Sequence, residues 1–165
     1  MSKKTKNKYK IQGGFFPFTN TIAQCEAFKR LNPIDVYVAA KYWGKYIPNN
    51  KDNLCITYSE VKDKVSTATF SKSKLWIRAF GFFYVVRFGR LERNATVMGI
   101  CGKWEHLSKC PDKLDRIERL LRRHERVKRI PVRKLKNNKK NNPQKTPLMR
   151  RKIALRLIEY KIFNV

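Results

Sequence analysis

The sequence predicts a mainly α-helical fold with one small β-hairpin, followed by a basic helical extension. Three observations carry this expectation. Helix start and stop signals punctuate residues 19–81 at short intervals. Two strand-forming runs, "FFYVVRF" (82–88) and "ATVMGI" (95–100), flank the turn-tolerant "GRLERN". Composition then shifts: all three Trp precede residue 106, where 19 Lys+Arg face 7 acids, whereas residues 106–165 set 20 against 5.

Residues 1–12 are a lysine-rich arm without an acid, expected to be disordered, and residues 13–105 form the folded domain. "TNTIAQCEAFKRL" (19–31) reads as a short helix with Ile22, Cys25 and Phe28 on one face. In "NPIDVYVAAKYWGKY", Asn32 caps the next helix, Pro33 takes its first position and Asp35 complements its dipole. Its expected buried stripe is Val36, Ala39, Ala40 and Trp43, and the polar loop "IPNNKDN" follows. "LCIT" (54–57) is a short strand. "TYSE" (57–60) is a capping box in which the Thr57 hydroxyl and the Glu60 carboxylate each satisfy a backbone N–H. The box opens a short helix, Tyr58–Lys62, with Val61 inward.

Ser66 caps a longer helix with Phe70, Ser73, Ile77 and Phe80 inward, and Gly81 suits the left-handed position after it. A short helix, a tight turn and a longer helix form a helix-turn-helix. With the hairpin behind it, this is the element order of a winged helix-turn-helix domain. Beyond Trp104, residues 106–130 read as a basic amphipathic helix with Leu114, Ile117, Leu121 and His124 on one stripe. Residues 131–146 are a Lys- and Asn-rich linker. Residues 147–165 restart a helix, with Met149, Ile153, Leu157 and Tyr160 as its stripe.

The formal charge of +27 favours a polyanionic partner, because self-repulsion on this scale opposes compactness. Nucleic acid is the first reading and an anionic membrane surface the second. No run of about 20 apolar residues is present, and "MSKKTKNKYK" has no apolar segment of the kind a signal peptide needs. The expected location is the cytoplasm, on the nucleoid. Cys25, Cys55, Cys101 and Cys110 form no CxxC pair and have no histidine at ligand spacing, so reduced thiols are expected rather than a metal site. Acids are scattered singly, and there is no phosphate loop and no Ser-His-Asp set; the reading is non-enzymatic, with no cofactor and no small-molecule substrate.

From Val65 to Phe83 the chain has no carboxylate. With its apolar face inward, the helix presents Thr67, Ala68, Thr69, Ser71, Lys72 and Leu75, and Lys72 and Lys74 are its expected cationic contacts. Small hydroxyl side chains allow close approach to a groove, and the ammonium groups neutralise phosphates or reach a base edge. In the hairpin, Arg87, Arg90 and Arg93, with Asn94 at the turn, suit a minor groove. Trp43 and Trp104 flank apolar segments and read as packing residues, whereas Trp76 falls off the buried stripe. Arg119 to Lys152 holds 15 Lys+Arg and the single acid Glu125; Arg122, Arg123, Arg126, Arg129, Arg133 and Lys134 are its expected phosphate contacts.

From Phe15 to Trp104 the chain resembles the winged helix-turn-helix proteins of phages, plasmids and other mobile elements, of replication-initiator and transcription-regulator type. The likeness rests on "NPIDVYVAAKYW", Asn49–Asn50, "ITYSEV", "STATFSKS", and "GFF" leading to a hairpin that ends in "GKW". It implies a recognition helix at Thr67–Lys74 and a wing tip at Gly89–Asn94. Leu75 and Trp76 depart from it, standing where such helices usually carry charge. The expected function is double-stranded DNA binding as a regulator or initiator, with helix 67–80 in the major groove. Two alternatives are a structural RNA-binding or ribosome-associated protein, and an adaptor whose residues 147–165 dock on a second copy or a larger nucleoprotein complex.

Overall fold

Local signals set the first helices of this computed structural model, which describes residues 18–89, 95–129 and 147–164. The helix expected over 19–31 is two short ones, α1 (Asn20–Gln24) and α2 (Glu26–Lys29). Cys25 interrupts them in an extended conformation, and its Sγ accepts the Phe28 N–H at 3.4 Å as the cap of α2. Ile22 and Ala27 point into the core.

Helix α3 (Pro33–Gly44) starts where the sequence places it. Asp35 reaches back to accept from the Asn32 N–H at 3.2 Å and the Asn32 Nδ2 at 3.1 Å, which explains how a carboxylate can be buried there. Its buried stripe is Val38, Ala39, Tyr42 and Trp43, whereas Val36 is half-buried and Ala40 exposed. The expected stripe is thus turned by part of a helical turn. Tyr42 and Trp43 set the orientation by packing on Phe83, with ring centroids 5.4 and 5.6 Å away.

Strand β1 (Leu54–Cys55) is shorter than expected, and only a 3-10 turn (Tyr58–Glu60) stands where a helix to Lys62 was expected. Of the two predicted capping bonds, the Glu60 carboxylate makes its own, to the Thr57 N–H at 3.0 Å. The Thr57 hydroxyl is engaged instead by Ser59 and Glu60 side chains. Lys45 Nζ, 2.6 Å from Glu60, ties this turn to the end of α3. That ammonium and then the Thr57 N–H hold the Glu60 carboxyl at about 2, below its ordinary value. Val61 is buried as expected.

Helix α4 (Thr67–Ala79) is capped by Ser66, whose Oγ accepts the Thr69 N–H at 3.2 Å. Phe70, Ser73, Ile77 and Phe80 are all buried. The chain leaves α4 through Gly81 at φ +78°, where a Cβ would stand 2.8 Å from the Trp104 backbone nitrogen. Strands β2 (Phe83–Arg87) and β3 (Val97–Ile100) form the hairpin, with an irregularity between Val85 and Arg87. Met98 of β3 pairs with Val85 on one side and Leu54 on the other, giving an antiparallel sheet of order β1-β3-β2.

The aromatic core lies between the helices and this sheet: Phe82 meets Trp43 edge-on at 6.0 Å and stacks on Trp104 at 6.1 Å. After α5 (Lys103–Ser108), α6 (Pro111–Arg129) buries the stripe the sequence predicts, Leu114, Ile117, Leu121 and His124. Arg30 fastens α2 to α6 by pairing with Asp115 at 2.5 Å and Glu118 at 3.2 Å.

Helix α7 (Pro147–Phe163) corrects an expectation. Its core-facing residues are Ile158 and Ile162, while Met149, Ile153, Leu157 and Tyr160 are exposed. His124, 2% exposed, sets the choice of face by meeting Glu159 at 3.1 Å (Nε2 to Oε1), which turns Ile158 and Ile162 toward the body of the protein. The arm expected at 1–12, the linker expected at 131–146 and residues 90–94 of the expected wing tip lie outside the described residues.

Candidate nucleic-acid interface

The first turn of α4 is the surface on which the sequence reading rests. Thr67, Ala68 and Ser71 are exposed there, and Thr69 is half-buried with its hydroxyl 2.8 Å from that of Ser66. Small side chains leave this turn open to close approach, and the helix dipole adds partial positive charge.

Farther along, α4 is not the open surface expected. Leu75, Trp76 and Ala79 are buried, so the two residues that depart from the charged pattern of a recognition helix serve packing. Trp76, expected off the buried stripe, is 5% exposed. Its Nε1 donates to Glu125 Oε1 of α6 at 3.0 Å. Lys72 Nζ lies 3.1 Å from the same oxygen and 5.5 Å from the centre of the Trp76 ring. The acid missing from α4 is supplied by α6.

Lys74 is engaged differently. Its ammonium sits 4.5 Å from the centre of the Phe70 ring, and burial, followed by the charge of Arg78, lowers its pKa. Arg78 lies between two aromatic rings, 4.5 Å from the centre of Phe163 and 5.5 Å from that of Phe88. Of the polar residues expected on the reading face, Thr67 and Ser71 are therefore exposed, while Lys72 and Lys74 already have partners.

Glu125 also joins this turn to the outer face of α6. Its Oε2 lies 3.9 Å from Arg129, so one carboxylate links Lys72 to the guanidinium at the end of α6. Arg122, Arg123, Arg126 and Arg129 are all exposed. Arg122 is held by Glu118 at 2.6 and 3.0 Å, whereas Arg123 and Arg126 form no ion pair among the described residues. Arg87 is exposed at the end of β2. Arg90, Arg93, Asn94, Arg133 and Lys134 lie outside the described residues.

Sequence reasoning missed Trp76, Glu125 and Arg78. One signal for Glu125 was available: it is the single acid in an otherwise basic run. A lone carboxylate there has a specific partner more readily than a general solubilising role. Among the described residues no three His, Cys, Asp or Glu side chains are grouped to hold a metal, and no helix is long and apolar enough to cross a membrane. Comparison with known proteins finds no family model, no curated protein and no solved structure that matches the chain.

Proposed function

We propose that this chain is a double-stranded DNA-binding protein with a winged helix-turn-helix core, acting on the nucleoid as a transcription regulator or replication initiator of a mobile element. The observation that carries the reading is the join at Glu125. It ties Lys72, next to the exposed Thr67, Ala68 and Ser71, to Arg129 at the basic end of α6. The order helix, strand, turn, helix, hairpin supports the winged core, with β1 added beside β3 in the same sheet.

On this reading the turn at Thr67, Ala68 and Ser71 enters the major groove, and Lys72 exchanges Glu125 for a phosphate. Arg123, Arg126 and Arg129 lie along the backbone, and the wing and the basic linker extend the footprint. Buried Leu75 and Trp76 limit the reading segment to the start of α4, short of the whole span 67–80.

A second reading, an adaptor, is favoured by the exposed apolar side chains Met149, Ile153, Leu157 and Tyr160 along α7. It is compatible with the first, since α7 uses its other face for the body of the protein.

The test is a salt titration of binding to a random duplex, a duplex selected from a pool, and a structured RNA of equal length. The selected duplex is expected to stay bound at salt that strips the others. Loss of all three together, or retention of the RNA, would contradict the DNA-reading function.

A further inference from the structure

A cleft of about 430 Å³ opens where the end of α4, strand β2, α5, α6 and the end of α7 meet. Phe83, Ile117 and Ile162, each 2% exposed or less, form its apolar floor. Phe163 and Arg78 line it where α4 and α7 approach. The exposed Lys103, His106 and Lys113 stand at its mouth, and none of the described residues lining it is acidic.

Arg78 is the unexplained member. Its guanidinium lies between the rings of Phe88 and Phe163, and its Nε is buried without a hydrogen-bond acceptor. Glu159 attracts it but forms no ion pair with it, since that carboxylate is bonded to His124. Burial lowers the pKa of Arg78, yet arginine remains charged in proteins. A buried guanidinium N–H without an acceptor is costly, and an anionic ligand group beside this half-buried side chain would remove that cost.

We infer that this cleft binds a small organic anion, with its carboxylate, sulfonate or phosphate head at Arg78 and its apolar body on Phe83, Ile117 and Ile162. The volume lies within the range of small-molecule sites, and the lining has their usual character of apolar walls with a few convergent polar groups. We read the occupant as a ligand rather than a substrate: among the described residues the lining has no carboxylate, and its Cys101 and His106 belong to no group of three metal-binding side chains. Because Ile162 and Phe163 belong to α7 and Phe83 to β2, the bound anion would brace the C-terminal helix against the wing strand. The inference stands apart from the nucleic-acid reading and survives its failure.

The test titrates the full-length protein with anilinonaphthalene sulfonate at about 0.1 M salt, where charges more than about 10 Å from the bound head are screened and those at the mouth of the cleft still act. Phenylnaphthylamine, with the same rings and no sulfonate, is titrated in parallel. The sulfonate is expected to saturate one site per chain, with the uncharged amine about tenfold weaker, the loss of one charge-assisted contact. Arg78→Met is expected to bring the sulfonate down to the affinity of the amine and to leave the amine unchanged. Lys103→Met with Lys113→Met, at exposed positions that folding does not need, is expected to weaken the sulfonate about threefold by lost Coulomb attraction. Equal affinities for the two probes would overturn the proposal. So would sulfonate binding indifferent to the Lys103/Lys113 pair of substitutions, whatever the folded state of the Arg78→Met variant.

Discussion

The indole of Trp76 donates to the carboxylate of Glu125 across 3.0 Å, between residues 49 positions apart in the chain. Lys72 meets the same oxygen, so a carboxylate of α6 pairs with one of the three cations of the acid-free helix α4.

Replacing Glu125 by Gln keeps an acceptor for Trp76 and removes the charge that holds Lys72 and Arg129. Folding should persist, with a loss of about 1 kcal/mol for the weakened charged hydrogen bond. Duplex binding should become tighter, and its salt dependence steeper by about one to two released counterions. Urea unfolding and salt-titrated binding, read on the same variant, check both halves.

The two faces of α7 should respond unequally to truncation. Ile162 is 2% exposed and Leu157 is 56% exposed. Ile162→Ala should cost about 2–4 kcal/mol as a core truncation, and Leu157→Ala should stay within about 0.5 kcal/mol. Denaturant midpoints of the two variants decide it. Equal costs would restore the stripe expected from the sequence.

Acid should loosen the contact between α6 and α7. The hydrogen bond from His124, opposed by burial and aided by the charges of His124, Arg78 and Lys128, sets the Glu159 pKa below its ordinary value. A lowered carboxyl pKa contributes stability that is present above the unfolded value of about 4.3. That contribution is lost as pH falls through the folded value. Thermal unfolding followed through this range should show a smaller loss in Glu159→Gln than in the unchanged protein. Parallel curves would count against the pairing.

Gly81→Ala should destabilise by about 2 kcal/mol or more. The left-handed backbone alone costs about 1–2 kcal/mol, and the added Cβ would collide with the Trp104 nitrogen and the Lys103 Cβ. Equilibrium unfolding measures the loss, and a change under about 0.5 kcal/mol would mean that the turn between α4 and β2 relaxes.

Much of this architecture was legible because its signals are local. Ser66, Asn32 and Gly81 each act within a few residues of themselves, and the α6 stripe stands out because charge surrounds it. Helix α7 was not legible in this way. Its sequence "PLMRRKIALRLIEYKIF" has apolar residues on both sides, so periodicity offers Met149–Ile153–Leu157 as readily as Ile158–Ile162. The choice is made by Glu159 meeting His124, a contact across 35 positions. Trp76 was misplaced for the same reason, because its partner lies on α6. In the candidate site, the exposed turn at Thr67–Ser71 followed from local pattern, whereas the engagement of Lys72 depended on a distant acid.

The most direct test of the central claim is duplex affinity after Thr67→Glu with Ser71→Glu. Both positions are exposed, and an acid at Thr67 suits the helix dipole, so folding stability should hold or rise slightly. Affinity for the selected duplex should fall at least about tenfold, as like charges meet the phosphates. Unchanged affinity in a folded variant would contradict the claim, and would move the contact surface away from α4.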